Sequence, residues 1–490
     1  MSPFDGDQHF PILTEISIAP LQSHSVVGGR EVFAVGEDFV FSNDGFPKLQ
    51  AYPGEMLPEL SGRQRFPVPD RVGEYCSRED FEKLPKYMAQ WVHWPERVQC
   101  VLEGRYDQLR PAHFEGIFTL VCNFKCPHCT RRVTRTRWVS GGAWDNNTPV
   151  DERNTMFPKG LQHAIDEIAS FRSDEQMGIV WGGGDPTANP FSYDGMLYAR
   201  RLGISASFLT NGVFLDVEKA LDADPILVRI SLNCGTEEAY RRFHGYPKGW
   251  DYFDRVKSKI RELVRRKLER RARTLVGISL IVDERNMLDV VEAANEIRNV
   301  VAEAGPGIDY VIARPVFNYS HFDRGYALLK SDTKDRAFAL VSEGGPVWQT
   351  LRDVGIPLIL IKDSFDAPPP DSLYDDSRCL AYGMCGEIRH NGDVQLCSDS
   401  YGNPEYTVGN LFEQSLDSIW RSERRKSVLD RVNREECYRL KCPHNSRGHH
   451  HNRVFHQIER RRRAGEMQVV QRWIQDLKET TLPLGHSFFI

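Results

Sequence analysis

Apolar and polar positions divide the chain into two differently patterned parts. Up to about residue 105 the pattern is irregular and broken by proline and glycine, with short alternations such as Glu31–Phe41 and the aromatic stretch Trp91–Trp94 (WVHW). This part reads as a small α+β module or a wrapping extension. From Phe114 onward, short apolar runs alternate with helix-period segments. The runs at 114–121, 177–183, 204–210, 226–233, 274–282 and 307–316 are predicted strands, and 159–171, 251–270 and 286–304 are the clearest predicted helices. Such alternation predicts an α/β fold with right-handed βαβ crossovers and a parallel sheet. Six units suit an open, partial barrel better than a closed eight-stranded one, with reactive residues at the C-terminal strand ends.

Beyond 316 the pattern weakens. Ala367–Pro370 (APPP) reads as a linker, 378–448 carries a second set of cysteines, and roughly 453–480 has the pattern of a basic amphipathic helix. A short apolar tail ends at Phe488–Ile490, and no repeat with a period of 20–50 residues is evident.

Composition narrows the class. At 490 residues two or three domains are expected. Apolar residues at 40% and charged residues at 27% are ordinary for a globular enzyme. A net charge of -5 gives no global signature of nucleic-acid binding. The N-terminus lacks the basic and apolar regions of a signal peptide, and no apolar run of membrane-spanning length occurs. Eleven cysteines therefore predict reduced thiols and metal ligation in the cytoplasm rather than a disulfide framework.

The first cysteines follow the first predicted strand directly. Cys122, Cys126 and Cys129 form C-x3-C-x2-C within CNFKCPHC. Three thiolates on one loop can hold a cluster whose remaining iron stays open to a ligand, whereas structural zinc normally takes a fourth cysteine or histidine. His128 could supply that fourth ligand only by straining the loop. WGGGDPT (181–187) ends the second strand, Thr210-Asn211-Gly212 the third, and Ser231 and Asn233 the fourth. With these residues in this order, 114–316 resembles the radical S-adenosylmethionine superfamily.

That resemblance implies a partial (β/α)6 barrel over 106–320, preceded by the extension 1–105 and followed by a connecting segment, 321–370. It also implies a 4Fe-4S cluster on the three cysteines, with S-adenosylmethionine bound at the open iron. Reductive cleavage of that cofactor gives a 5'-deoxyadenosyl radical that abstracts hydrogen from the substrate, after electron delivery by a donor such as flavodoxin or ferredoxin. Gly183, Gly184 and Asp185 match the family's GGEP motif, with aspartate where glutamate is usual. Thr210 and Asn211 match its third-strand end. Ser231 and Asn233 fall where ribose is usually bound, and His128 where an aromatic residue meets adenine.

The region 371–448 is similar to the auxiliary-cluster domains called SPASM or, when shorter, twitch. The residues behind this are Cys379, Cys385 and Cys397, an Asn-Gly hairpin at 391–392, and GN-x5-L-x2-IW at 409–420. The resemblance implies a second 4Fe-4S cluster, with Cys442 or Cys437 as fourth ligand. A structural zinc knuckle is the alternative. The histidine run His449–His451, which opens the last segment, 449–490, reads as a solvated loop. Cys76, Cys100 and Cys234 read as small core residues.

Arg131, Arg132, Arg135 and Arg137 follow the first cysteines and can grip an anionic substrate group or form a solvated face. Arg265–Arg273 reads as a solvated helix end. Family does not fix substrate. The reading favoured by the sequence is a small polar metabolite such as a sugar, aminocyclitol or nucleoside. The alternatives are a maturase of ribosomally made peptides and a non-catalytic iron–sulfur or zinc protein.

Overall fold

The computed structural model describes three strands within 23–43, then residue 88, 90–129, 154–172, 177–316, 331–360, 378–398, 403–435 and 447–480. Strands β1 (Ser23–Val27), β2 (Arg30–Val35) and β3 (Phe39–Asn43) form an antiparallel meander. The alternation at Glu31–Phe41 thus becomes a β-hairpin.

The remaining strands build one ten-stranded sheet. In chain order they are β4 (His113–Ile117), β5 (Gly178–Trp181), β6 (Ser205–Thr210), β7 (Leu227–Ser231), β8 (Leu275–Val282), β9 (Tyr310–Pro315), β10 (Leu358–Leu360), β11 (Cys385–Arg389), β12 (Asp393–Gln395) and β13 (Thr407–Asn410). Strands β4 to β9 pair in sequence and in parallel, as the six apolar runs predict. Helix α1 (Pro95–Glu103) precedes β4. Helices α2 (Pro158–Phe171), α3 (Ser192–Arg201), α4 (Val217–Asp222), α5 (Glu237–His244), α6 (Tyr252–Arg270) and α7 (Val290–Ala304) supply the crossovers. Their starts are set by local chemistry: Pro158 at the first turn of α2, and side-chain caps from Asp216 to Lys219 N and from Thr236 to Ala239 N.

Two features extend the sheet beyond six units. After α8 (Ser331–Val341) and α9 (Pro346–Asp353), β10 adds a short parallel strand beside β9, from a segment expected to be connecting chain. At the opposite edge β11 pairs in parallel with β4, so Cys385 lies opposite His113 and Arg389 opposite Ile117. The Asn-Gly hairpin forms as predicted, with Gly392 at φ 82° between β11 and β12. The first strand is shorter than its apolar run. Beyond Ile117 the Thr119 and Val121 carbonyls turn away to accept the Gly184 and Asp185 N–H groups.

Side chains alternate across a sheet, so register sorts them by face. Phe114, Phe118 and Trp181 face the helix layer; Phe114 packs edge-on against Trp420 and Phe118 against Trp181. The opposite face carries Glu115, Leu209, Arg229, Ser231, Ile281 and Arg314, and each of these is half-buried among fully buried neighbours. That face, taken as the concave one, carries charged and hydroxyl groups among apolar ones.

Helices α10 (Leu416–Arg421) and α11 (Glu423–Arg434) follow β13. The predicted terminal helix is two helices, α12 (Arg447–Arg463) and α13 (Met467–Thr480), separated near Gly465 at φ 74°. The histidine run lies in α12 rather than in a solvated loop. His451 is buried, stacks on Phe455 and meets Gln90, because α12 packs against the segments flanking α1. Arg462 fixes that packing by donating to the Val101 and Leu102 carbonyls. No described helix is long and apolar enough to cross a membrane.

Candidate active site

The C-terminal edge of β4 leads into the loop bearing Cys122, Cys126 and Cys129. A turn from Cys126 O to Cys129 N, 3.1 Å, places two of the cysteines close together. Phe124 anchors the loop by inserting among His244, Tyr246 and Tyr252, with ring centroids 4.7, 5.5 and 5.7 Å away. Lys125 N donates to His244 O at 3.0 Å. At Gly245, which ends α5 at φ +69°, a side chain would strike Lys125 O at 2.6 Å.

Cys122 and Cys126 each feel the charge of another thiol on the loop. Burial pushes the Cys122 thiol up, with Asp185 and Cys129 adding to the rise. Burial also pushes up Cys126, and Cys129 and Cys122 add to it. Three thiolates held together here need compensating positive charge, which an iron cluster supplies. The donor set therefore fits a cluster held by these residues.

Gly183 and Gly184 do a specific steric job. A β-carbon at Gly183 would lie 2.3 Å from Thr119 O, and one at Gly184 would lie 2.0 Å from Val121 O. Only glycine lets this loop close on the cysteine loop, through Gly184 N to Thr119 O at 2.8 Å and Asp185 N to Val121 O at 2.7 Å.

The Asp185 carboxylate is buried and already occupied. It accepts from Thr187 N at 2.9 Å, Thr187 Oγ1 at 2.5 Å, Thr210 Oγ1 at 2.9 and 3.0 Å, and Asn211 N at 2.7 Å. Asn211 in turn donates from Nδ2 to Asn123 Oδ1 at 2.8 Å, with Cys122 Sγ at 3.8 Å. Asp185, Thr210 and Asn211 thus tie the ends of β5 and β6 to the cysteine loop. Asn233 is similar: buried at φ 60°, it accepts the Ile281 N–H at 2.8 Å on Oδ1. Ser231 stays half-buried on the concave face.

His128 packs on Phe243, centroids 4.3 Å apart, and its Nδ1 meets Arg285 Nη2 at 3.3 Å. Burial, helped by the charges of Arg285 and Arg314, holds the His128 ring well below its usual range. Arg285 is itself paired with Asp283. Sequence reading passed over Arg285, His244 and the concave-face charges. Glu115, Arg229 and Arg314 each interrupt an apolar run, and that interruption was their only signal.

In the second cysteine region, Cys379 Sγ receives Asn452 Nδ2 at 3.4 Å, and Cys385 Sγ receives Ser398 Oγ at 3.8 Å. Burial raises the Cys379 thiol, and Cys385 contributes. Cys397 is half-buried after β12. Cys437, Cys442 and the arginines Arg131, Arg132, Arg135 and Arg137 lie outside the described residues. Cys385 begins β11 opposite the start of β4, whereas Cys122 follows the end of β4. The two cysteine sets therefore sit toward opposite ends of the same pair of strands.

Comparison with known proteins agrees with this arrangement. Residues 117–297 match the family model of the radical SAM superfamily, and 379–443 match the SPASM iron–sulfur cluster-binding domain. The serine-type anaerobic sulfatase-maturating enzyme of Bacteroides thetaiotaomicron is 24% identical over 326 residues, which is 62% of this chain and 73% of that protein. The Fe-coproporphyrin III synthase of Methanosarcina barkeri is 29% identical over 133 residues, 26% of this chain and 29% of that protein. Among solved structures, Streptococcus suis SuiB bound to S-adenosylmethionine has a TM-score of 0.47 at 14% identity, covering 68% of this chain and 71% of that one. The two domains bring a 4Fe-4S cluster with S-adenosylmethionine, and further iron–sulfur binding. The chain carries a radical S-adenosylmethionine domain over 117–297 and a C-terminal SPASM domain over 379–443.

Proposed function

We propose that this enzyme modifies a peptide by hydrogen abstraction, with Cys122, Cys126 and Cys129 holding the cluster that binds S-adenosylmethionine. The observation that carries the proposal is the placement of three thiols on one loop at the C-terminal edge of a parallel sheet, above the concave face. Bound there, the cofactors supply a 5'-deoxyadenosyl radical once an external donor such as flavodoxin or ferredoxin has delivered an electron. The chain's own residues position and shield. Phe243, His128 and Arg285 form a wall beside the cysteine loop. The glycine loop at 183–184 closes its other side. Ser231 offers a hydroxyl on the concave face for the ribose, and Glu115, Arg229 and Arg314 offer charge to a substrate.

A peptide is preferred to the small metabolite favoured by sequence. The relative matched over 62% of the chain is a sulfatase-maturating enzyme, whereas the porphyrin-forming relative matches only about a quarter of the chain. Cys379, Cys385 and Cys397, with Cys442 or Cys437, hold an auxiliary cluster in this proposal. A substrate on the concave face then lies between two redox sites, an arrangement suited to removing a second electron after hydrogen abstraction. The arginines at 131–137 are assigned to anionic groups of the substrate, and a reducing compartment such as the cytoplasm suits the free thiols. The test is anaerobic turnover with short peptides offering serine or cysteine. A peptide mass lowered by two hydrogens, with stoichiometric 5'-deoxyadenosine, is expected. Turnover of a sugar or nucleoside with no change in any peptide would contradict the proposal.

A further inference from the structure

His244, at the end of α5, lies against the cysteine loop. Its Nδ1 is 3.4 Å from Cys126 Sγ, and its Nε2 is 3.4 Å from Asn233 Nδ2. The ring is buried and wedged between Tyr240, at 4.3 Å, and Phe124, at 4.7 Å, so it cannot turn without opening the core. A ring nitrogen that accepts a hydrogen bond carries no proton, so the ring's partners decide where its proton sits.

Asn233 places that proton. Its Oδ1 accepts the Ile281 N–H at 2.8 Å, so the amide cannot flip, and its NH2 must face the histidine. An NH2 group only donates, so Nε2 accepts and the ring proton sits on Nδ1, pointing at Cys126. We propose that His244 is a neutral hydrogen-bond donor to the Cys126 thiolate, positioned by Asn233, and that it raises the reduction potential of the cluster this thiolate holds. Donors to ligand sulfur draw charge from the cluster and favour its reduced state. The strained φ of 60° at Asn233 has a function in this arrangement: the bend lets one side chain bond β8 and hold the ring. The opposite tautomer would set a lone pair against a thiolate.

The inference rests on Cys126 belonging to the cluster that binds S-adenosylmethionine. The experiment is redox titration of the reconstituted full chain by electron paramagnetic resonance, following only the signal that changes when S-adenosylmethionine is added. Absence of any such signal in the parent chain would overturn the ligand assignment itself. Given the signal, His244→Phe should lower the reduced fraction at fixed potential about tenfold, and His244→Gln, which keeps a donor, should recover much of it. Equal potentials in the parent and His244→Phe would overturn the inference, since a merely structural ring would leave the potential where it was. A second readout needs no change at His244: with nitrogen-15 histidine in a His128→Phe background, the reduced cluster should couple to a ring nitrogen. No coupling would overturn the inference as well.

Discussion

At the residue scale, spacing made the cysteines legible, while their supporting groups were hidden by distance along the chain. Cys122, Cys126 and Cys129 share one short loop. His244 meets Cys126 across 118 positions, and no local pattern announces such a pair. Asp185 shows a related limit: its position matched a motif, but only the fold shows its carboxylate filled by Thr187, Thr210 and Asn211. Asp185→Asn should therefore weaken folding of the metal-free chain, because an amide cannot accept all of these donors. Leaving one buried donor unpaired costs about 1–3 kcal/mol, readable as a lower denaturant midpoint. An unchanged midpoint would return Asp185 to a purely cofactor-facing role. Asp194, on α3, gives a pH-dependent prediction. Burial raises its carboxyl from 3.8 to about 6, against the opposing charge of Lys219, and Oδ2 has no hydrogen-bond partner. A raised carboxyl favours the neutral acid, so its contribution is full below pH 4 and is lost as pH rises through 6. Asp194→Asn should stabilise the chain at pH 8 by up to about 3 kcal/mol, with the gap closing toward pH 4. Melting curves at both pH values read this directly.

At the element scale, six parallel strands could be read because each is an apolar run bounded by polar turns. Of the strands that extend the sheet at its two edges, β10 and the pairing of β11 with β4 were not legible, although the β11–β12 hairpin was. β10 has three residues, too few to show a period, and β11 joins β4 across more than 250 positions of sequence. That seam buries an ion pair, Arg389 Nη1 to Glu387 Oε1 at 2.7 Å, with Glu387 fully buried and its Oε2 unpaired. Arg389→Met alone should destabilise by about 3–5 kcal/mol, since it strands a buried charge. Adding Glu387→Leu should restore most of that loss. A double variant no more stable than the single would show that the pair contributes in some other way.

At the scale of the whole molecule, one sheet carries both cysteine regions, so the SPASM domain is continuous with the barrel through β4 and β11. Cys385 begins β11 at one end of that five-residue pairing, and the loop of Cys122 follows its other end. The most direct test is to change Cys122, Cys126 and Cys129 together to alanine and assay S-adenosylmethionine cleavage anaerobically with a strong reductant. The account predicts no 5'-deoxyadenosine while iron and sulfide persist at the SPASM cysteines. Undiminished 5'-deoxyadenosine from that variant would contradict it.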